Sequence, residues 1–168
     1  MEIRLLKPSD AKRYWDLRLE ALKLNPEAFA TNYEEAVRRE NPVQSVAKNL
    51  SNKGNFTYGA FNNGELMGVV TLLQETQLNL RHKANILAMY VNPDIRGLGV
   101  GKELLTEAIN KAKTIETIEK LNLTVVTTNE KAKKLYTKLG FKVIGLEEKA
   151  LKISGKYYNE EFLSLMIK

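Results

Sequence analysis

Cysteine is absent from this chain of 168 residues, and histidine occurs once, as His82. The first absence excludes disulfides, thiolate metal sites and any intermediate carried on a cysteine sulfur. The second excludes a site built from several histidine ligands, so no metal site is expected. Only one tryptophan is present and basic residues are not interleaved with aromatic ones, which argues against sequence-specific nucleic-acid binding. Long apolar runs are missing too. The longest, residues 66–73, is interrupted by Gly68 and Thr71 and falls far short of the ~18 residues a spanning helix needs. Residues 1–7 carry charge inside their short apolar stretch, unlike a signal peptide. The expectation is a cytoplasmic protein with no membrane partner.

What is present is the balance of an ordinary globular protein, 43% hydrophobic and 27% charged, in a length that suits one domain over residues 1–168. Lys and Arg outnumber Asp and Glu by 26 to 20. The resulting +6 charge favours an anionic partner, with a nucleotide, a phosphorylated cofactor and a nucleic acid all compatible with it.

Patterning divides the chain into alternating strands and helices. Residues 2–7 read as a short strand, and Pro8, Ser9 and Asp10 supply turn and capping chemistry for a helix to about residue 24, with Tyr14, Leu17, Ala21 and Leu22 inward. Residues 25–41 read as a loop with helical pieces. Asn41 and Pro42 then offer a cap and a first-turn proline for a helix ending near residue 54. Residues 56–61 and 65–75 read as a hairpin turned at Asn62, Asn63 and Gly64. Residues 84–91 are nearly all apolar and read as a strand covered on both faces. After a glycine-bearing segment, Leu104, Leu105, Ala108, Ile109 and Ala112 share one helical face. A strand over 121–128 precedes a helix starting near Asn129 and stopping at Gly140. Residues 141–144 and 162–167 read as the last strands, joined by a charged stretch containing Gly155, Lys156, Tyr157 and Tyr158. The fold class is mixed α/β.

The segment Arg96-Gly97-Leu98-Gly99-Val100-Gly101-Lys102 lies between a buried strand and an amphipathic helix. Its free amides and the positive end of the helix would face one point, a geometry that suits a phosphate or pyrophosphate. A glycine turn that binds nothing is the competing reading. A P-loop is excluded because Arg96 stands where its first glycine would be and Glu103 where its Ser or Thr would be. A dinucleotide fingerprint is excluded because Lys102 occupies the place of its third small residue.

Arg96-x-x-Gly99-x-Gly101, following Tyr90-Val91-Asn92-Pro93, resembles the acyl-CoA pyrophosphate motif of the GNAT N-acetyltransferase superfamily. Downstream, Asn129-Glu130-x-Ala132-x-x-Leu135-Tyr136-x-x-Leu139-Gly140-Phe141 is similar to that family's second signature. The resemblance covers nearly the whole chain. It implies a central mixed, mostly antiparallel sheet of about seven strands flanked by helices, splayed between the fourth and fifth strands to admit acetyl-CoA. It further implies a single N-acetyltransferase domain passing acetyl directly to a primary amine, a small amine or amino acid first. A protein N-terminus or lysine, or a non-catalytic acyl-CoA-binding domain, are the alternatives, and a homodimer is compatible with the family.

Carried onto this sequence, the resemblance implies that the amides of Arg96, Gly97, Leu98, Gly99, Val100, Gly101 and Lys102 hold the pyrophosphate. The backbone of Met89, Tyr90 and Val91 would pair with the pantetheine arm as an added strand. Asn129 would orient that arm or serve as a plain helix cap, and Ala132 would line its wall. Tyr136 lies on an apolar helix face and by itself reads as a core aromatic; the resemblance implies a general acid for the departing thiolate. The base is open, because Asn85 aligns where many members carry a glutamate. His82 is the first candidate, on account of its ordinary pKa near 6.5, with Glu34, Glu35 and Glu75 acting through water as others.

Overall fold

The computed structural model describes residues 1–168. Its strands are β1 (Glu2–Leu5), β2 (Asn55–Asn62), β3 (Glu65–Gln74), β4 (Lys83–Val91), β5 (Lys120–Val126), β6 (Lys142–Ile153) and β7 (Lys156–Met166). The helices are α1 (Ala11–Leu24), α2 (Tyr33–Val37), α3 (Pro42–Ser51), α4 (Val100–Thr114) and α5 (Glu130–Lys138). The strands form one sheet in the order β1-β2-β3-β4-β5-β7-β6, antiparallel throughout except for the parallel pair β4 and β5. No helix is long and apolar enough to cross a membrane.

Side chains of β3 alternate between two cores, as the period of a strand requires. Val70 and Leu72 face α4, whose Leu104, Leu105, Ala108 and Ala112 are fully buried against them. Leu66 and Val69 face the other way, toward Leu17 and Ala21 of α1. A third cluster joins Ala11, Trp15 and Leu22 of α1 to Ala36 of α2 and Val46 of α3. Helix α1 therefore buries two faces, and Trp15, absent from the expected inward set, belongs to the second.

The β2–β3 turn forms as expected, with Asn63 and Gly64 at φ of +50° and +81°, the pair of left-handed residues that matches strand twist. Three expectations are corrected. Asn41 makes no side-chain cap bond and sits at φ +51°. The charged stretch before residue 162 is not a connection but the arms of a long β6–β7 hairpin, turned at Ser154 and Gly155. The exposure of its β6 arm hides the alternation by which strands are usually read. Strand β4 is not covered throughout: Leu87 remains 43% exposed, because the sheet opens beside it.

That opening positions the site. Strands β4 and β5 pair only from Lys83, Ala84 and Asn85 to Lys120, Leu121 and Asn122. Beyond them β5 stays with β7, whereas β4 bulges, with Ala88 at φ +54° and a register shift opposite Val69–Thr71. A bulge bends and twists its strand, which here carries the far half of β4 away from β5.

Candidate active site

Two cavities adjoin at this gap. One, of about 600 Å³, lies between the C-terminal half of β4, the loop before α4 and the start of α5. The other, of about 800 Å³, lies on the side of α1, α3 and β7. Ala28, Phe29, Met89, Val126, Asn129 and Tyr136 line both, so the cavities meet at these residues.

The loop of the smaller cavity has the form its glycines suggest. Gly97 and Gly99 adopt φ of +80° and +82°, and a Cβ on either would meet no atom within 4 Å. Backbone conformation rather than space therefore calls for glycine there. Gly101 differs, since a Cβ on it would lie 3.1 Å from Met89 Cε; its smallness seats α4 against β4. The amides of residues 97–102 donate to no backbone acceptor, the first helical bond being Glu103 N to Gly99 O. Free amides converging at the start of a 15-residue helix make a cradle for phosphate oxygens. Arg96 holds the loop in place: its Nε donates to Val91 O at 2.8 Å and its guanidinium to Asn25 Oδ1 at 3.0 Å.

Strand β4 is pinned from the opposite side. The Tyr90 hydroxyl donates to Glu20 at 2.9 Å and Asn92 Nδ2 donates to the same carboxylate at 3.0 and 3.1 Å. Burial, helped by Glu20, pushes the Tyr90 phenol up to about 12. The Tyr90 ring thus anchors the strand to α1, which leaves its backbone on the side of the gap.

Tyr136 is buried at the junction, its ring edge-on to Phe141 at 6.0 Å. Its hydroxyl has no hydrogen-bond partner within the protein, and burial pushes its pKa up to about 12. Asn129 caps α5, its Oδ1 accepting from Ala132 N at 3.2 Å.

Of the residues singled out in the sequence, Met89, Tyr90, Val91, Arg96, Gly97, Gly99, Val100, Gly101, Lys102, Asn129, Ala132 and Tyr136 all line the smaller cavity. Leu98 does not; its side chain is 69% exposed on the outside of the loop. His82 lines neither cavity, lying before the closed end of the β4–β5 pair with its carbonyl engaged by Glu119 N and Lys120 N. Glu34 and Glu35 are exposed on α2, and Glu75 accepts from Asn85 Nδ2 at 2.8 Å outside the cavities.

The larger cavity contains two charged residues that sequence reasoning missed, Arg18 of α1 and Glu160 of β7. Arg18 sits over the Phe29 ring at 4.6 Å, and burial, with Arg39 nearby, lowers its pKa. Glu160 pairs in register with Val126 and Glu147, and burial together with the Glu147 charge raises its pKa. Asn122 adds a buried Oδ1 without a partner to the same wall. An arginine four residues after Tyr14, on a helix face otherwise turned inward, was the readable signal for Arg18. Nothing in the β7 sequence distinguishes Glu160 from Glu161, which instead pairs with Lys133 at 3.2 Å.

The model of the acetyltransferase (GNAT) family matches residues 17–141, which span β2 to β5, the glycine loop and α5. The chain belongs to the acetyltransferase (GNAT) family. Acetyl-CoA is the cofactor that membership assigns, and the free loop amides beside the β4–β5 gap suit its phosphates and its extended arm. An acetyltransferase of the GNAT family from Streptococcus pneumoniae has the same fold, with a TM-score of 0.87 and 26% identity over 99% of both chains. Among curated relatives, the spermidine N(1)-acetyltransferase of Escherichia coli K12 is 32% identical over 57% of this chain and 50% of its own length. The peptidyl-lysine N-acetyltransferase YjaB of the same organism is 39% identical over 36% of this chain and 37% of its own. The matches thus span half or less of those curated relatives.

Proposed function

We propose that this protein, as a single domain over residues 1–168, transfers acetyl from acetyl-CoA to the primary amine of a small amine or amino acid in a ternary complex. The observation that carries this reading is the meeting of two cavities at Tyr136, one walled by free loop amides and the other by a mostly apolar lining that carries Arg18, Glu160 and several amide side chains. A donor and an acceptor entering from opposite sides would come together there.

The amides of residues 97–102 hold the pyrophosphate, with Lys102 and Lys131 adding positive charge on the same cavity. The open edge of β4 at Met89, Tyr90 and Val91 takes the cofactor arm by backbone pairing. Acetyl-CoA held there would supply a thioester, open to the acceptor nitrogen at its carbonyl carbon and losing its thiolate toward Tyr136. Ala132 walls the arm and Asn129 fixes the first turn of α5, which carries Tyr136. Tyr136 keeps its proton and directs it at the leaving sulfur.

Incubating the protein with acetyl-CoA and a panel of amines, amino acids and peptides, with free thiol as the readout, tests the reading. Turnover above background with a small amine or amino acid is expected. Acetyl-CoA binding without turnover on any acceptor overturns it in favour of a binding domain, and turnover on peptides alone moves the acceptor to a protein. The cradle has its own test. Gly99→Ala should cost about 1 kcal/mol for a left-handed residue, lower Tm by about 2–4 °C, and raise KM for acetyl-CoA with little change in KM for the acceptor.

A further inference from the structure

The larger cavity has one cationic and one anionic side chain, Arg18 and Glu160, among residues that are otherwise uncharged. Neither is spent inside the protein. Arg18 makes no ion pair or hydrogen bond; its guanidinium lies over Phe29. The ion pairs of the fold involve other residues, the one on β7 joining Glu161 to Lys133. Half-burying a charge without a partner is costly, and such a charge is kept where a ligand supplies the partner.

Each charge lies next to a residue that the two cavities share. The ring beneath Arg18 belongs to Phe29, and the residue paired across the strands with Glu160 is Val126; Phe29 and Val126 line both cavities. Directly opposed residues of antiparallel strands point to the same face, so Glu160 shares the face of Val126. A ligand bridging Arg18 and Glu160 would lie across the entrance to the acetyl-CoA cleft, beside Tyr136.

We propose that the acceptor is a zwitterion, a free amino acid whose carboxylate is held by Arg18 and whose ammonium is held and deprotonated by Glu160. This rests on the transferase reading above and narrows it. The guanidinium fork matches a carboxylate through two parallel hydrogen bonds. Glu160 takes one proton from the ammonium and passes it to solvent, leaving the nitrogen lone pair free to attack. The second proton, shed by the nitrogen as the amide forms, leaves by the same carboxylate and balances the one the departing thiolate takes up. Its desolvated carboxylate beside Glu147 has a raised proton affinity, which suits that task. A polyamine would place a second cation where Arg18 repels it, and an internal lysine side chain has no carboxylate to offer.

The test is a matched panel: each standard amino acid, its carboxamide and its decarboxylated amine, assayed by thiol release with the wild-type protein and with Arg18→Met, Arg18→Lys and Glu160→Gln. For the wild type, kcat/KM should be at least tenfold higher for the best amino acid than for its carboxamide or amine. Arg18→Met should raise KM for the amino acid about tenfold, leave kcat nearly unchanged and erase that preference, whereas Arg18→Lys should keep part of it. Glu160→Gln should lower kcat by more than about tenfold, because the ammonium of a free amino acid, beside its own carboxylate, is more basic than a chain terminus near 8 and is neutral in well under a tenth of molecules at pH 7. The preference is a ratio measured on one protein, so loss of folded material cannot imitate it. Equal use of amino acids and their decarboxylated amines by the wild type, or an unchanged preference in Arg18→Met, overturns the zwitterion while leaving the transferase standing. Absence of turnover on every acceptor overturns both.

Discussion

Tyr136→Phe should lower kcat by about 100-fold, the lower end of what a positioned proton donor contributes, with acetyl-CoA affinity changed less than twofold. The direction follows from where the hydroxyl is and what it lacks. The ring is buried against Phe141 at the junction of the cavities, and the hydroxyl has no partner in the protein. Phenylalanine retains the ring packing and removes only the O–H, so thermal stability should hold or rise slightly. A residue kept for packing alone would show no change in kcat.

The magnitude is set by the phenol's pKa, pushed up to about 12 by burial. A thiol leaves with a pKa near 8.5, so full transfer of the phenolic proton is uphill by roughly 3.5 units. Tyr136 therefore contributes chiefly a hydrogen bond to the developing thiolate, and solvent completes the protonation. Two outcomes of steady-state kinetics follow: the kcat profile of the wild type should show no descending limb from Tyr136 below about pH 11, and the phenylalanine variant should keep the profile's shape at a lower plateau. A descending limb near pH 8 that disappears in the variant would contradict this assignment.

How far such a site can be read in advance depends on whether a residue's role is local. The conformations of Gly97 and Gly99, the hairpin at Asn63 and Gly64, and the buried face of α4 are dictated within a few residues, and the structure has them where the sequence puts them. The position of Tyr136 at the cavity junction follows the order of elements that its motif implied. His82 is the instructive contrast. It lies near the start of β4, and the sequence does not show which end of that strand opens. The structure zips β4 to β5 at Lys83–Asn85, beside His82, and opens the far end, where the bulge at Ala88 falls. Glu160 was hidden for the same reason: two adjacent glutamates on a strand point to opposite faces, and only the pairing of β7 with β5 decides which one faces the cavity. The β6–β7 hairpin was only partly legible because its β6 arm is exposed over most of its length, so no apolar alternation marks it.

The largest effect on stability should come from Asp10→Ala, far from the cavities. Asp10 is 2% exposed and accepts from Arg4 through both oxygens, at 2.8 and 3.0 Å, and from Lys7 N at 2.7 Å; Arg13 approaches at 3.3 Å. One carboxylate thus joins β1 to the start of α1 and satisfies an amide of the turn between them. The hydrogen-bonded Arg4 guanidinium, with Lys7 N and Arg13, holds the Asp10 carboxyl down at about 2. Removing one partner of a buried pair typically costs 3–5 kcal/mol; Arg4 can turn part of its guanidinium to water, which places Asp10→Ala near 3 kcal/mol and lowers Tm by about 6–12 °C. The same pKa fixes a pH dependence. Because the folded-state pKa lies below the unfolded one, the contribution is complete above about pH 4 and is lost as pH falls through 2, amounting to about 2 kcal/mol for a shift of this size. Thermal melts of wild type and Asp10→Ala should therefore be widely separated at pH 7 and 5 and draw together by about 2 kcal/mol between pH 4 and 2. A separation that stays constant down to pH 2 would mean that Asp10 acts through its shape and not its charge.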